Sequence, residues 1–271
     1  MIHCKQLNKN FDSKEDMLNY IKSNKQTIIA NKKSEIKTKT NNSVLGFMDM
    51  KTNTVKSIPN MDEDYIYPII SNTNYLDSHS DVHLNGSMNK TAKEQTNKVY
   101  YVADHELKMD SVIAEPKDVD IIMQTLKWSD LGKSYEGTTE AMIFKIKKEN
   151  ILHDKFKRMI DKGSPLQNSI RMQYVKIDMA MNTDDKAFAE EKAVYDEIYP
   201  MIANKEALTE NALVFAVREL KIHLEGSAVL FGSNDATPIQ SNKEAVSDTS
   251  KNEPLKDTQK QLVKLLTNIK I

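Results

Sequence analysis

Along this chain, short stretches with a period-two hydrophobic pattern outnumber those with helical spacing. TIIANKKSEIKT (27–38), residues 44–48, YIYPIISNT (65–73), VYYVADHEL (99–107) and residues 139–146 read as strands. Pro68 marks its segment as an edge or a bulge. Residues 213–231 read as one or two further strands, with Gly226 at a bulge or bend. Helical spacing is confined to four places. Residues 12–25 place Met17, Leu18 and Ile21 on one stripe behind a capping Ser13. Residues 76–95 pass from loop into helix. Residues 151–163 end at Gly163, and 188–204 are interrupted by Pro200. DVDIIMQTLKW (118–128) fits a strand or a helix. This order predicts a mostly antiparallel α+β domain, not repeated βαβ units. After about Pro238 the apolar period is lost. The division expected is a domain over 1–240 and a polar tail over 241–271, whose end, QLVKLLTNIKI, is weakly amphipathic.

The most informative segment is GSPLQNSIRMQYVKIDMAMN, 163–182. Read as a turn entering a long strand, it puts Ser169, Arg171 and Gln173 on one face, which turns apolar at Val175, Ile177 and Met179. Ile170, Met172 and Tyr174 take the other face. A hydroxyl, a guanidinium and an amide gathered at one end of a packing strand suit an active site.

Composition narrows the function classes. Lys+Arg is 38 and Asp+Glu is 39, so neither nucleic acid nor a strongly charged partner is indicated. Cys4 is the single cysteine, which excludes an intrachain disulfide and multi-cysteine metal sites. No apolar run reaches the roughly 20 residues of a membrane helix, and the first residues lack a signal peptide's apolar core. The expectation is a cytosolic protein without membrane, metal or cofactor.

A serine nucleophile needs a base, and the base needs an orienting group. Of six histidines, His3 and His153 read as incidental or solvated. His79 and His83 in DSHSDVH stand among carboxylates, but the spacing matches no metal motif and the segment reads as turn formers. His105 ends an apolar strand between Asp104 and Glu106. In LKIHLEGSAV, Lys221, His223 and Glu225 share a strand face, either as an orienting pair or as a solvated edge. A Gly-x-Ser-x-Gly elbow, a His-Glu-x-x-His helix and a glycine-rich phosphate loop are absent.

The order of these segments resembles the prohead, or capsid maturation, serine proteases of tailed phages, which share the herpesvirus assemblin-like fold. DSHSDVHLNG (77–86) is similar to that family's Asp-Ser-x-Gly-Asp loop, with Ser80 in place of its glycine and Asn85 in place of its usual proline. VYYVADHEL leads to a matching catalytic histidine, His105. NSIRMQYVKID matches the nucleophile strand at Ser169, with Arg171 replacing a common glycine. EGSAVLFGSND matches the closing motif at Glu225. KWSDLG, EGTTEAMIF and IANKEA add likeness to a branch from phages and prophages of Bacteroidetes-type hosts.

The resemblance implies a closed or nearly closed antiparallel β-barrel with surrounding helices. It implies a serine endopeptidase acting in the cytoplasm of a bacterial host, inside the assembling procapsid. Ser169 would be nucleophile, His105 base and Glu225 the third residue. His223 is the rival third residue, because assemblin relatives use a second histidine. Arg171 and Arg218 are candidates for oxyanion support. The substrates implied are the major capsid protein, scaffold segments and the protease itself, with self-association left open. The alternative is a catalytically inactive assembly or scaffolding factor on the same fold.

Overall fold

The computed structural model describes residues 1–37, 62–208, 213–230, 232, 236 and 239–240. The strand expected at 44–48 and the tail from 241 lie outside the described residues. The elements in chain order are β1 (Ile2–Cys4), β2 (Lys9–Phe11), α1 (Lys14–Ser34), β3 (Tyr65–Asn72), β4 (Asp81–His83) and α2 (Asn89–Gln95). They continue with β5 (Tyr100–Ala103), β6 (Val112–Ala114), β7 (Asp120–Lys127), β8 (Thr138–Lys147) and α3 (Asp154–Asp161). The last are β9 (Gln167–Met181), α4 (Ala189–Ile198), β10 (Leu213–Val229) and β11 (Ile239–Gln240).

α1 overturns the strand expected at 27–38. Ser13 Oγ accepts from Asp16 N at 3.0 Å, and the helix runs on through the β-branched Thr27-Ile28-Ile29 to Ser34. Met17, Ile21 and Ile28 all bury on one face. Tertiary burial of that face outweighs the local β preference of the run. Residues 118–128, ambiguous in sequence, become the edge strand β7, paired along its whole length with β8.

Two larger sheets carry the core. In one, β10 lies between β9, which is antiparallel to it, and two short parallel strands, β4 and β5, set end to end on its other edge; β6 extends β5. In the gap between β4 and β5, Leu220 N donates to Ser87 O and Ile222 N to Thr91 Oγ1, so the approach to α2 takes the place of a strand. The second sheet has the order β11-β3-β8-β7. β11 covers Pro68, whose missing N–H suits that edge, and a register shift follows between Ile69 and Ser71. Ile170, Ile222 and Tyr101 of the first sheet share one buried cluster with Ile70, Met142 and Phe144 of the second.

The α+β class and the mostly antiparallel pairing hold, but the expected barrel does not form: among the described residues no sheet closes, and helix content is modest. The reason lies at the edges. β4, β5 and β6 are 3, 4 and 3 residues long, too short to carry pairing around a ring. The far edge of β9 takes one isolated bridge, Lys37 to Met172. The sheets instead pack face to face.

At Gly226 the two sheets approach closely. A Cβ there would stand 2.7 Å from Phe144 Cε2 and 3.1 Å from Ile70 Cγ2. Gly226→Ala should therefore destabilise by about 1–3 kcal/mol through overpacking. Thermal unfolding should register it as roughly 2–4 °C per kcal/mol. Phe144→Leu on that background should recover part of the loss, and an unchanged melting temperature in Gly226→Ala would show that the sheets part freely here.

Candidate active site

β5 ends in a tight turn, Ala103-Asp104-His105-Glu106, closed by Glu106 N to Ala103 O at 3.0 Å. Its two central residues are left-handed, Asp104 at φ 52° and His105 at φ 57°. Asp and His tolerate this region better than most residues, yet two in succession cost on the order of 1–3 kcal/mol each. Two bonds to β10 hold them there. Asp104 N donates to Ala228 O at 2.9 Å, and His105 N donates to Ser227 Oγ at 2.8 Å.

β10 is itself distorted opposite Arg171. Its register with β9 slips between Ile222 and Gly226, and Leu224 sits at φ 68° with half its surface exposed. Past this bulge Glu225 is wholly buried. Its Oε1 lies 2.8 Å from His105 Nδ1 and accepts from Arg171 Nε at 3.0 Å. Arg171 also donates to His105 O at 3.1 Å. Glu225 Oε1 is the acceptor for the guanidinium, and Nδ1 of His105 is the nitrogen that bears hydrogen toward it. In the neutral ring Nε2 is then the lone-pair acceptor. Both His105 Nε2 and Glu225 Oε2 are buried without a hydrogen-bond partner among the described residues.

Ser169 stands directly opposite Ser227 in the β9–β10 ladder, and opposed residues of an antiparallel pair share a face. Ser227 accepts from His105 N, and Arg171, two residues beyond Ser169, grips Glu225. Ser169, Arg171, Glu225, Ser227 and His105 thus converge on one face. The last contact, His105 Nε2 to Ser169 Oγ, is not formed as a hydrogen bond. That contact is often long until substrate binds.

Two other expected residues fall elsewhere. Arg218 is held by Glu197 through two bonds of 2.9 and 2.7 Å and by Asp178, on an exposed stretch of β10, and has no hydrogen bond to His105, Ser169 or Glu225 among the described residues. The bulge at Leu224 separates His223 from Glu225, and it is Glu225 that reaches the His105 ring. Arg171 lies behind the imidazole, where it braces acid and turn together. His153 caps α3, its Nδ1 accepting from Phe156 N.

On the other face of β9, that of Ile170, Met172 and Tyr174, lies a buried group that strand patterning did not reveal. Asp81, wholly buried, is held by Lys32 and Lys37, each at 2.6 Å, and accepts from the Tyr174 hydroxyl at 2.7 Å. Burial alone would raise Asp81; the two ammonium groups more than offset this and hold its carboxyl below the ordinary value. Burial pushes Lys37 down to about 8 despite Asp81, and pushes His83 down to about 4, so its ring is neutral. His83 Nδ1 lies 3.0 Å from Ser71 Oγ. Asp77 is half-buried as a residue, but protein crowds its carboxyl. Burial, then the Asp81 charge, raise it to about 7 against the pull of the Asp81 N–H and the lysines. These groups adjoin a cavity of about 30 Å³ that Asn168, Ser169 and Ile170 also wall. The sequence signal was the paired carboxylates and imidazoles of DSHSDVH; the lysines that claim Asp81 come from α1 and its exit, far away in the chain. Among the described residues no group of His, Cys, Asp and Glu is arranged to hold a metal.

No family model, curated protein or solved structure matches this chain.

Two outcomes follow from these strained and buried groups. Leu224→Gly should leave the melting temperature unchanged or raise it, because glycine accepts the left-handed backbone freely. Leu224→Val should lose about 1–2 kcal/mol, and equal behaviour of the two would show that the bulge relaxes. For Asp77, the folded carboxyl lies near 7, above the ordinary 3.8. The native state therefore holds more protons between those values, and stability falls as pH rises through them to 7. Asp77→Asn lacks this loss. Chemical denaturation should show the variant gaining on the parent protein from acidic to mildly alkaline pH; a constant difference would refute the raised carboxyl.

Proposed function

We propose that this protein is a serine endopeptidase, with Ser169 as nucleophile, His105 as general base and Glu225 as the acid that orients it. The observation that carries this reading is the state of the His105 ring. Its Nδ1 is fixed on a buried carboxylate at 2.8 Å, while its Nε2 is left without a partner on the face that bears Ser169. A structural histidine would be expected to satisfy both nitrogens. The left-handed turn supports the same reading, because such strain persists where the surroundings hold a residue for use.

In the reaction, Nε2 takes the Ser169 proton as Oγ attacks the scissile carbonyl, then gives it to the leaving amine. The resulting acyl-enzyme is hydrolysed by water activated in the same way. Glu225 stabilises the imidazolium formed in each half. Arg171 is a positioning residue, since its contacts are to Glu225 and to the His105 carbonyl. By the resemblance of the segments at 77–86, 99–107, 163–182 and 225–238 to prohead proteases, the substrates are scaffold segments, the capsid protein's N-terminal extension and the protease itself. The same resemblance places the reaction in the host cytoplasm, within the assembling procapsid.

The test is co-expression with the capsid and scaffold proteins of the same genome, followed by mass spectrometry of their termini. New termini should appear with the parent protein and be lost with Ser169→Ala and His105→Gln. Glu225→Gln should slow cleavage by about 10⁴-fold, the scale on which a misoriented base acts. His223→Gln should change it little. Unprocessed capsid protein with the intact chain, or processing that survives Ser169→Ala, defeats the reading.

A further inference from the structure

We infer that β7 is a self-association edge. Two copies of this chain pair their β7 strands antiparallel about Gln124, and two four-stranded sheets become one of eight strands. The edge belongs to the second sheet, whereas Ser169, Arg171, Glu225 and Ser227 belong to the first. The pairing is therefore independent of the endopeptidase reading.

β7 ends its sheet and, among the described residues, pairs on one side only, with β8. Exposed edges are ordinarily blunted by proline, by charge, by a bulge or by shortness. The middle of β7 has none of these. Its pairing with β8 runs from Asp120 to Lys127 without a register shift, and Ile121-Ile122-Met123-Gln124-Thr125-Leu126 holds neither a charge nor a proline. An edge of this kind is a template for another strand.

Main-chain bonding decides which groups on that edge are open. Trp128 N donates to Gly137 O, on the β8 side. Bonding direction alternates along a strand, so even-numbered residues of β7 bond β8 and odd-numbered ones face outward. Two side-chain bonds agree with this phase. Ile121 N donates to Thr96 Oγ1 at 3.0 Å, and Lys127 N donates to Asp130 Oδ2 at 3.0 Å. Those two donors are taken. Between them, Met123 and Thr125 each turn an N–H and a C=O outward, with no partner among the described residues.

These four groups match a second copy of themselves in one register. In an antiparallel ladder, residues that exchange two bonds stand directly opposite. Met123 opposite Thr125 of the second copy, and Thr125 opposite Met123, make four bonds that use every open group and neither taken donor. Sliding one strand by two residues either way sets Thr125 against Ile121, or Met123 against Lys127, where the donor is already taken. The two-fold axis then passes through Gln124, in the close, non-hydrogen-bonded position. A carboxamide both donates and accepts, so the two Gln124 side chains bond one another. On the same face Ile122 stands opposite Leu126. On the other face Thr125 of the second copy meets Met123 at the rim of an open groove, lined also by Asn89, Ala92, Lys93, Thr96 and Ile121. The pairing is isologous and closes at two copies. Four main-chain bonds make a small joint, so the dimer is weak and concentration-dependent.

The experiment is sedimentation equilibrium of the full chain at concentrations up to about 300 μM, where a dimer of micromolar affinity is populated. The parent protein should show a reversible monomer–dimer equilibrium. Gln124→Lys sets two ammonium groups against each other at the two-fold axis and should weaken the dimer about 10-fold at low salt. Gln124→Glu should do the same. An equal mixture of the two variants should recover association at least as tight as the parent's, because opposite charges then face each other. Thr125→Pro removes one outward N–H from each copy, hence two of the four bonds, and leaves the β8 ladder intact; it should weaken the dimer about 30-fold. If circular dichroism shows Thr125→Pro unfolded, the Gln124 variants decide. A chain that stays monomeric throughout overturns the inference. So does a dimer that Gln124→Lys leaves unchanged, or a mixture that associates no better than either variant alone.

Discussion

The antiparallel ladder between β9 and β10 is the constraint on which the rest depends. β9 carries Ser169 and Arg171; β10 carries Glu225 and Ser227. The ladder sets these side chains in register without any loop intervening, and a site built on strands is held more tightly than one built on loops. β10 does more than pair. It accepts β5 in parallel along 225–228, which brings the turn at 104–105 over Glu225. It also accepts β4 along 215–217, which brings Asp81 and His83 to Tyr174 on the other face of β9. One central strand therefore positions His105, Glu225 and the buried Asp81 group.

The cation pair around Asp81 links this ladder to the outside of the fold. Lys32 leaves the last turn of α1, Lys37 follows it, and Tyr174 rises from β9, all meeting one carboxylate. Both lysines also lie against aromatic rings, Lys32 over Phe215 and Lys37 over Tyr174. A buried ion pair of this kind contributes little net stability compared with an apolar substitute, but removing one partner leaves a costly stranded charge. Its service here is positional. It fixes the exit of α1 against the β9 edge, where Lys37 makes its backbone bridge to Met172.

Several departures from ordinary packing lie on β10 and on the strands paired with it. Asp104, His105 and Leu224 have left-handed backbones, and His83 Nε2, His105 Nε2 and Glu225 Oε2 are buried without partners. Elsewhere the two sheets bury a well-matched core, with Gly226 absent a side chain where Phe144 fills the space. Strained backbone at Asp104, His105 and Leu224 persists because the β5 and β9 pairings of β10 hold it there.

Much of this was legible in the residues themselves. The periodicity of 169–174 placed Ser169 and Arg171 on one face and Ile170, Met172 and Tyr174 on the other, because strand alternation is a local property of the backbone. Ser13 and Gly163 announced the start of α1 and the end of α3 for the same reason. Local pattern failed where distant partners decide. The alternation of β9 breaks at Val175, which is exposed, and resumes with Ile177 buried, because irregular pairing with Arg218 and Glu219 shifts the phase. Thr27-Ile28-Ile29 favours a strand locally, and only burial of Ile28 against the core makes it helix. The barrel failed because closure depends on the lengths of β4, β5 and β6 and on which edges meet, neither of which a strand pattern records. Lys221, His223 and Glu225 alternate in sequence as equals; the left-handed Leu224 and the turn at His105 single out Glu225. Residue type and spacing determined which groups were available for chemistry. Tertiary pairing decided which of them meet, because a hydrogen bond from residue 105 to residue 225 depends on strand register across the sheet and not on any periodicity in the chain.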